Sequence, residues 1–294
     1  MRPFEYLAPQ TVPEALGLLR EHDEKARLLA GGTDLLIFMQ EGRAQPDYVV
    51  DLAGIDELRG IAYDPTKGLR IGPLTTLRQI ELAPVIRQKY PALAQSTFEL
   101  AGKQIRNMAT IGGNTCNASP AADTIPALMA LDAVAVIATS SGERRVPYRE
   151  FFVGPGRTVL QPHQLLTAIE LPPPPPGTGS HYIKLSVRRA MDIAIVGLGA
   201  AVTLEDGVVK DCRIALGAVG PTVIRADEAE QLLVGNALED GVLNEVAKAA
   251  QKVARPITDQ RATAAYRTMM VPVLTQQALR RAATLVLERS VPQQ

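Results

Sequence analysis

The sequence has few of the side chains that usually bind metals. Its 294 residues include two cysteines, Cys116 and Cys212, and three histidines, His22, His163 and His181. Two cysteines cannot by themselves ligate an iron–sulfur cluster or a structural zinc ion, and so low a count is typical of a reducing compartment. Because the histidines share no ligand spacing with one another or with a cysteine, we expect no metal site on this chain.

An excess of charge and a long apolar run are also absent. Lys+Arg and Asp+Glu both number 31, so the formal net charge is zero. Proteins that bind nucleic acids or membrane surfaces usually have a basic excess, and we expect neither activity here. The longest apolar run, residues 193–204, is too short and too rich in glycine to span a bilayer, and the N-terminus has no apolar segment of a signal peptide. The sequence therefore predicts a cytoplasmic protein without membrane insertion.

The motifs of common hydrolases and nucleoside triphosphatases are missing as well. Neither Gly-x-Ser-x-Gly nor His-Glu-x-x-His occurs, and no lysine follows paired glycines as it does in a Walker A loop. With so few acid–base groups, we expect any chemistry to be carried by a cofactor that the protein binds and orients.

Two stretches with paired glycines are present. The first is Ala30-Gly31-Gly32-Thr33-Asp34, and the second is Thr110-Ile111-Gly112-Gly113-Asn114, which Ser119 and Asp123 follow closely. Paired glycines permit a tight bend and leave backbone N–H groups accessible to a ligand. Either stretch alone is typical of an ordinary strand-to-helix turn. Together, with Thr, Asn and Asp side chains nearby, they predict one phosphate-bearing ligand held from two sides.

The surroundings of the two stretches add detail. We expect a strand over 26–30 and a helix over 34–40 around the first, an arrangement that presents N–H groups to an anion. After the second stretch we expect a helix over 120–131, with Asp123 near its start. Asp123 is either a cap for that helix or an acceptor for the hydroxyls of a sugar or ribityl group. Cys116, beside the second stretch, is interpreted as a small buried thiol.

A third group of polar residues lies near the middle of the chain. Tyr182, Lys184 and Arg188 alternate along a predicted strand and should share one of its faces. Arg189 and Asp192 follow them. Two interpretations stay open: a solvated charged face, or the rim of a cleft beside the apolar segment that comes next.

Five consecutive prolines at 172–176 mark a domain boundary, because they cannot join a helix or a central strand. Downstream we expect three strands, with Asp206-Gly207 as the hairpin turn between the last two. From residue 226 onward the pattern predicts helices, with Pro256 and Pro272 as breaks.

Further segments extend these patterns through nearly the whole chain. They are Ala101-Gly102-Lys103-Gln104-Ile105-Arg106, Ala118-Ser119-Pro120, Leu165-Leu166, Arg188-Arg189-x-x-Asp192-Ile193-Ala194, Arg255-Pro256-Ile257-Thr258-Asp259, Arg261-Ala262 and Tyr266-Arg267. With the two glycine stretches, they give the sequence a specific resemblance. It resembles the flavin-binding medium subunit of the molybdenum hydroxylases, the family of carbon monoxide dehydrogenase and xanthine dehydrogenase.

The resemblance implies an α+β fold in two domains. Residues 1–175 would form a two-part FAD-binding domain of the vanillyl-alcohol-oxidase (PCMH) type. Residues 176–290 would form a smaller α+β domain of the CO dehydrogenase flavoprotein type, with an antiparallel sheet and helices.

The resemblance also implies FAD as the cofactor and assigns residues to it. Both glycine stretches would hold the diphosphate, and Asp123 would contact the ribityl or ribose hydroxyls. Leu100 and Leu165 would pack near the flavin or adenine, with Tyr182 and Lys184 beside the isoalloxazine ring. The implied cofactor-binding residues are Leu29, Ala30, Gly31, Gly32, Thr33, Asp34, Leu35, Leu100, Thr110, Ile111, Gly112, Gly113, Asn114, Asp123, Leu165, Tyr182 and Lys184. None is implied to be catalytic.

The same resemblance implies partner subunits. The 2Fe–2S clusters and the molybdenum cofactor would lie on a small and a large subunit, assembled with this chain as a dimer of heterotrimers. The chain would then pass electrons from the partner's 2Fe–2S clusters to an external acceptor, which the sequence leaves open among NAD, quinone, cytochrome and oxygen. Two alternatives are a free-standing flavin-dependent oxidoreductase, which the shortage of acid–base groups disfavours, and a non-catalytic scaffold.

Overall fold

The computed structural model describes residues 1–188 and 190–290, with the backbone alone at 289 and 290. Its helices and strands lie on either side of the proline run at 172–176 in the sequence. One apolar core is built mostly from residues before the run, together with Tyr182, Ala215 and Val223, and a second is built from residues between 195 and 283. Among the described helices, none is both long and apolar enough to cross a membrane.

The N-terminal region contains strands and many short helices. Its strands are β1 (Glu5–Leu7), β2 (Ala26–Leu29), β3 (Tyr48–Asp51), β4 (Ile61–Asp64), β5 (Gly68–Ile71), β6 (Val134–Thr139), β7 (Gly142–Pro147), β8 (Phe152–Gly154), β9 (Arg157–Thr158) and β10 (Leu165–Leu171). Its α-helices are α1 (Val12–His22), α2 (Leu35–Gln40), α3 (Leu77–Leu82), α4 (Pro84–Lys89), α5 (Pro91–Glu99), α6 (Lys103–Met108), α7 (Ile111–Asn117), α8 (Thr124–Ala130) and α9 (Tyr148–Phe151).

Two sheets organise this region. A small parallel sheet has the order β1-β3-β2, and the first glycine stretch leaves it at the end of β2. A five-stranded antiparallel sheet has the order β4-β5-β10-β6-β7. Helices α3 to α8 pack on this sheet, because Leu77, Leu93 and Leu128 share a buried core with Ile137 and Ile169. This layer of helices carries the second glycine stretch.

The C-terminal region is a four-stranded antiparallel sheet covered by helices. Its strands are β11 (Thr178–Leu185), β12 (Val196–Glu205), β13 (Val208–Gly217) and β14 (Ile224–Arg225), in the order β11-β12-β13-β14. Its helices are α10 (Asp227–Leu233), α11 (Asp240–Val253) and α12 (Ala264–Ser290). The α+β class and the antiparallel sheet with helices predicted for this part of the chain are confirmed.

Local sequence signals account for several element boundaries. The Thr11 hydroxyl caps α1 by accepting a hydrogen bond from the Glu14 N–H. Thr76 and Gln79 form a reciprocal capping box at the start of α3. Asp206 and Gly207 both have positive φ and form the predicted two-residue turn between β12 and β13.

One predicted helix break is wrong. Helix α12 runs through Pro272, which has no N–H to donate to the carbonyl oxygen of Thr268. The side-chain amide of Gln251, on α11, donates to that oxygen at 3.0 Å instead. Because a neighbouring helix satisfies the freed carbonyl group, the helix continues.

An arginine whose side chain is 10% exposed joins the two regions. Arg225, on β14, donates to both carboxylate oxygens of Glu230, at 2.6 and 2.8 Å, and reaches across to Asp132 at 2.9 Å. Glu230 is itself buried and also accepts the Ile214 N–H. The Arg225–Glu230 pair is therefore largely shielded from solvent. Removing either residue would leave the charge of the other without its partner in a poorly solvated position.

We predict that Arg225→Met lowers the free energy of unfolding by about 3–5 kcal/mol, because it leaves the buried Glu230 carboxylate without its cation. The matched control is Arg149→Met, which removes an arginine from an exposed ion pair with Asp227 between the same regions. This variant should lose no more than about 1 kcal/mol. Chemical unfolding of both variants measures the difference, and equal losses would contradict the prediction.

Candidate functional site

The first glycine stretch forms a turn between β2 and α2, as predicted. Gly32 has a φ of +71°, in the left-handed region that favours glycine. Gly31 lies against the end of α6, where a Cβ atom would come within 2.1 Å of the Met108 carbonyl oxygen. Since no side chain fits there, the turn is held tightly against the segment that leads into the second glycine stretch.

This turn exposes a row of backbone N–H groups. Within the described residues, the N–H groups of residues 31–35 donate no hydrogen bond, and the first helical bond runs from the Leu36 N–H to the Gly32 carbonyl oxygen at 3.1 Å. Successive N–H groups without protein acceptors form a concavity that binds anions. The first stretch thus has the donors that a phosphate group requires.

The second glycine stretch is a helix start, and the prediction of a tight bend there is wrong. Gly112 and Gly113 lie in the first turn of α7. The Thr110 hydroxyl caps this helix by accepting the Gly113 N–H at 3.1 Å. Close packing explains the other glycine, because a Cβ atom on Gly112 would lie 2.4 Å from the Pro73 Cβ.

The N–H groups of the second stretch are already bonded within the protein. Ile111 donates to the Thr75 carbonyl oxygen at 3.0 Å, and Gly112 donates to the Pro73 carbonyl oxygen at 2.9 Å. Asn114 donates within the helical turn. The segment before α3 therefore seals this end of α7, and the prediction of accessible N–H groups on the second stretch is wrong.

Asp123, Tyr182 and Lys184 meet in a buried cluster. The Tyr182 hydroxyl donates to Asp123 Oδ1 at 2.7 Å, and Lys184 Nζ donates to Oδ2 at 2.9 Å. The Lys184 and Asp123 side chains are only 2% and 7% exposed. The prediction that Tyr182 and Lys184 share one face of β11 is confirmed, and the alternative of a solvated charged face is wrong for both.

Asp123 does not cap a helix. Helix α8 begins later than predicted, directly after Asp123, whose side chain makes no capping hydrogen bond. Its carboxylate is directed instead at Tyr182 and Lys184. The next residue, Thr124, donates its hydroxyl hydrogen to Asn114 Oδ1 and so links this cluster to the second glycine stretch.

Burial dominates the protonation behaviour of the cluster. It raises the pKa of Asp123 above its ordinary value, while the Lys184 ammonium and the Tyr182 hydroxyl oppose that change. Burial and the Asp123 carboxylate together raise the pKa of Tyr182 well above its ordinary value. Tyr182 therefore stays protonated and acts as a donor.

Lys184 also binds two backbone carbonyl oxygens. Its Nζ donates to the Glu99 oxygen at 3.1 Å and to the Asp192 oxygen at 2.7 Å. With Asp123, this gives an acceptor for each of the three N–H groups of the ammonium. Lys184 thereby holds together the end of α5, the start of α8 and the loop before β12.

Arg188 does not share the face of Tyr182 and Lys184, contrary to expectation. Strand β11 ends at Leu185, and the Arg188 side chain is 68% exposed. The strand stops because the Asp192 carboxylate accepts the N–H groups of Arg188 and Ile193, which turns the chain back toward β12. Arg189 lies outside the described residues.

Strained backbone occurs in segments that adjoin this cluster. Four residues other than glycine or aspartate have positive φ, between +45° and +61°, among the residues described. They are Ala101, Ala118, Met191 and Ala218. The left-handed region is costly for such side chains, and this kind of strain is characteristic of functional sites.

The two predicted apolar contacts lie beside these groups. Leu165 is buried in a cluster with Leu74, and Ala30 of the first glycine stretch packs on the same cluster. Leu100 is half-buried against the main core and follows α5 directly.

Cys116 is exposed, so the prediction of a buried thiol is wrong. It lies on α7 away from the side on which Ile111 and Thr115 are buried. The helical phase of this segment, at which the paired glycines indicated a bend, sets that orientation.

Three contributors to the site could not be given a role from the sequence. Glu99 and Asp192 act on Lys184 through backbone carbonyl oxygens, which no side-chain pattern reveals. Arg106 is buried and donates to the Leu100 and Ala101 carbonyl oxygens. The resemblance included Arg106 without giving it a role.

Two family models match the sequence. One, described as the FAD binding domain in molybdopterin dehydrogenase, matches residues 2–174, more than half of the chain. The chain belongs to this family. A second model, the CO dehydrogenase flavoprotein C-terminal domain, matches residues 181–282. The resemblance inferred from the sequence is confirmed, as is an FAD-binding domain followed by a C-terminal domain.

Individual members of the family are similar over nearly their full length. The carbon monoxide dehydrogenase medium chain of Afipia carboxidovorans is 36% identical over 280 residues, which cover 95% of this chain and 96% of that one. The xanthine dehydrogenase FAD-binding subunit of Escherichia coli O157:H7 is 34% identical over 275 residues, covering 93% and 94%. Among solved structures, carbon monoxide dehydrogenase from Hydrogenophaga pseudoflava superposes with a TM-score of 0.93 at 35% identity, covering 97% and 99%.

We predict that Lys184→Met makes stability strongly dependent on pH. Loss of the cation raises the pKa of Asp123 further, so folding favours the protonated carboxyl group. A raised folded-state pKa means that stability falls as pH rises from the ordinary carboxyl value of 3.8 through the raised pKa. At neutral pH the loss should reach about 3–5 kcal/mol, and it should shrink in acid.

The control for this prediction is the double variant Lys184→Met with Asp123→Asn. It has no carboxyl group at position 123, so the added pH dependence should disappear. Chemical unfolding across a pH series measures both variants. The same pH profile in the single and the double variant would show that Asp123 is not the titrating group.

Proposed function

We propose that this chain is the FAD-bearing electron-transfer subunit of a heteromeric molybdenum hydroxylase. The observation that carries the proposal is the row of N–H groups without acceptors at residues 31–35. It occurs in a chain whose relatives are named FAD-binding subunit and medium chain. The stretch contains no lysine, so N–H and hydroxyl groups would hold the diphosphate.

The residues around the turn fit the remaining parts of FAD. Each Asp123 oxygen has one protein donor, which leaves acceptor capacity for ribityl or ribose hydroxyls. Leu100 and Leu165 would supply apolar contacts, and Tyr182 and Lys184 would lie beside the ring system. We propose as cofactor-binding residues Leu29, Ala30, Gly31, Gly32, Thr33, Asp34, Leu35, Leu100, Thr110, Ile111, Gly112, Gly113, Asn114, Asp123, Leu165, Tyr182 and Lys184.

Within the second stretch, the structure favours side chains over N–H groups as contacts. The Thr110 hydroxyl and the Asn114 side-chain amide lie at the start of α7, while the N–H groups of residues 111–114 are used internally. The second stretch would then support the first and add side-chain hydrogen bonds to the cofactor.

FAD, when bound, supplies the electron-transfer chemistry. The chain's own residues bind and orient the cofactor. The Tyr182 hydroxyl is committed to Asp123, and all three N–H groups of Lys184 have acceptors. Neither residue is thus available as a proton donor to a substrate, and this supports an electron-transfer role.

We extend the proposal to the assembly. A small 2Fe–2S subunit and a large molybdenum-cofactor subunit would join this chain in a dimer of heterotrimers, and electrons would pass from the 2Fe–2S clusters to an external acceptor. The name medium chain of a relative supports a set of three unequal subunits. We also propose a cytoplasmic location, which the two free cysteines support.

We propose a division into an FAD-binding domain at residues 1–175 and a C-terminal domain at 176–290. The second apolar core supports it, because all of its residues, between 195 and 283, follow the proline run.

We predict that Gly31→Ala lowers FAD affinity by about tenfold or more, because the added methyl group collides with the Met108 carbonyl oxygen and displaces the turn. The complex would be purified through a tagged copy of this chain, stripped of flavin and titrated with FAD by fluorescence quenching. Gly17→Ala is the matched control, since a Cβ atom there meets nothing within 4 Å.

The outcomes separate the possibilities. Flavin bound to the wild-type complex and to Gly17→Ala, with weakened binding to Gly31→Ala, would support the proposal. A wild-type complex that contains no flavin and takes up none would overturn the function. Unchanged affinity in Gly31→Ala would overturn the role of the turn.

A further inference from the structure

The short turn between α5 and α6 has an unfavourable backbone conformation. Ala101, in the middle of this turn, has a φ of +45°. Residues other than glycine, asparagine and aspartate rarely adopt this region, because the Cβ atom of an L-residue approaches the backbone too closely. Something else in the structure must therefore hold the turn in place.

Arg106 supplies the groups that hold it. Its Nη1 donates to the Leu100 carbonyl oxygen at 3.0 Å and to the Ala101 carbonyl oxygen at 2.8 Å. The side chain is 4% exposed, and its Nε donates to Glu81 at 2.9 Å. A planar guanidinium group can make these bonds together, whereas the single ammonium of a lysine cannot match them.

The positive charge of Arg106 is compensated by the Glu81 carboxylate on α3. Glu81 accepts from Arg106 and also pairs with Arg78, one turn earlier on α3. The Arg106 guanidinium also lies 5.7 Å from the centre of the Phe98 ring on α5. Contacts with α3 and α5 hold the Arg106 side chain, which belongs to α6, in one position. Its two hydrogen bonds to the Leu100 and Ala101 carbonyl oxygens then hold the turn.

The turn leads directly to the buried cluster. Residue 99, whose carbonyl oxygen accepts from Lys184, lies two positions before Ala101. On the other side, a Cβ atom on Gly102 would lie 3.5 Å from the Met191 sulfur, so the turn also touches the loop before β12. A shift of the turn would withdraw one of the three acceptors of Lys184.

We propose that Arg106 is a positioning residue for the cofactor: it holds the Ala101 turn in its left-handed conformation and so keeps Lys184 and Asp123 aligned for FAD. This inference rests on the proposed function. Arg106 itself touches neither Asp123 nor Lys184, and it acts through the backbone of the turn.

The test asks whether a second substitution restores the FAD affinity that a first substitution removes. Arg106→Met keeps most of the apolar length but removes the bonds to the turn, and it should weaken FAD binding by about tenfold. Adding Ala101→Gly should restore most of the lost affinity, because glycine adopts the left-handed region without strain. FAD titration of the flavin-stripped complex measures both variants. A merely structural loss would not be restored by a change in the turn.

Two further variants complete the design. Arg225→Met removes an arginine that is 10% exposed and has a comparable carboxylate partner, Glu230 on α10, and it should leave FAD affinity unchanged. Arg106→Lys keeps a cation beside Glu81 but loses at least one bond to the turn, and its affinity should fall between wild type and Arg106→Met. It also serves if Arg106→Met does not assemble, with Ala101→Gly again restoring affinity.

The outcomes distinguish this inference from the function on which it rests. If the wild-type complex binds no FAD, the proposed function fails. If the wild type binds FAD and the Arg106 variants bind it equally well, the function stands and the positioning role is overturned. Weakened binding that Ala101→Gly does not restore would also overturn it.

Discussion

The buried ion pair between Asp123 and Lys184 is the interaction on which the candidate site depends. Removing two charges from water costs several kcal/mol per ion, and the attraction offsets that cost only when every remaining hydrogen bond is made. Lys184 meets this condition with acceptors at Asp123, Glu99 and Asp192. Asp123 and Glu99 belong to the FAD-binding domain, while Lys184 belongs to the sheet of the C-terminal domain. The ammonium group therefore links the two domains at the candidate site, in addition to the Arg225–Asp132 contact.

The two glycine stretches have similar sequences but different physical roles. At Gly31 the missing side chain lets a turn press against the Met108 backbone while its N–H groups stay accessible. At Gly112 the missing side chain lets a helix press against Pro73, and the neighbouring N–H groups are consumed by that contact. An anion would therefore bind mainly from one side. The first stretch packs against the backbone of Met108, which lies two residues before the second stretch.

Features that depend on neighbouring residues could be predicted from the sequence, and features that depend on distant ones could not. Alternation along β11 placed Tyr182 and Lys184 together, because strand geometry has a period of two. Their partner Asp123 lies about sixty positions earlier, and no local pattern distinguishes a buried acceptor from a helix cap. Pro272 shows the same limit, because its effect on α12 is cancelled by Gln251 of another helix. The α+β class, the hairpin and the family needed only local patterns.

Two buried arginines, Arg106 and Arg267, each stabilise a strained backbone segment. Arg106 donates to the carbonyl oxygen of Ala101, and Arg267, which is 3% exposed, donates to that of Ala218. Both alanines have positive φ, so each guanidinium group compensates a strained backbone with charge-assisted hydrogen bonds. These charges maintain the shape of the site and are not available for acid–base chemistry. A site built in this way can hold a cofactor in one orientation, but the reactivity must come from the cofactor itself.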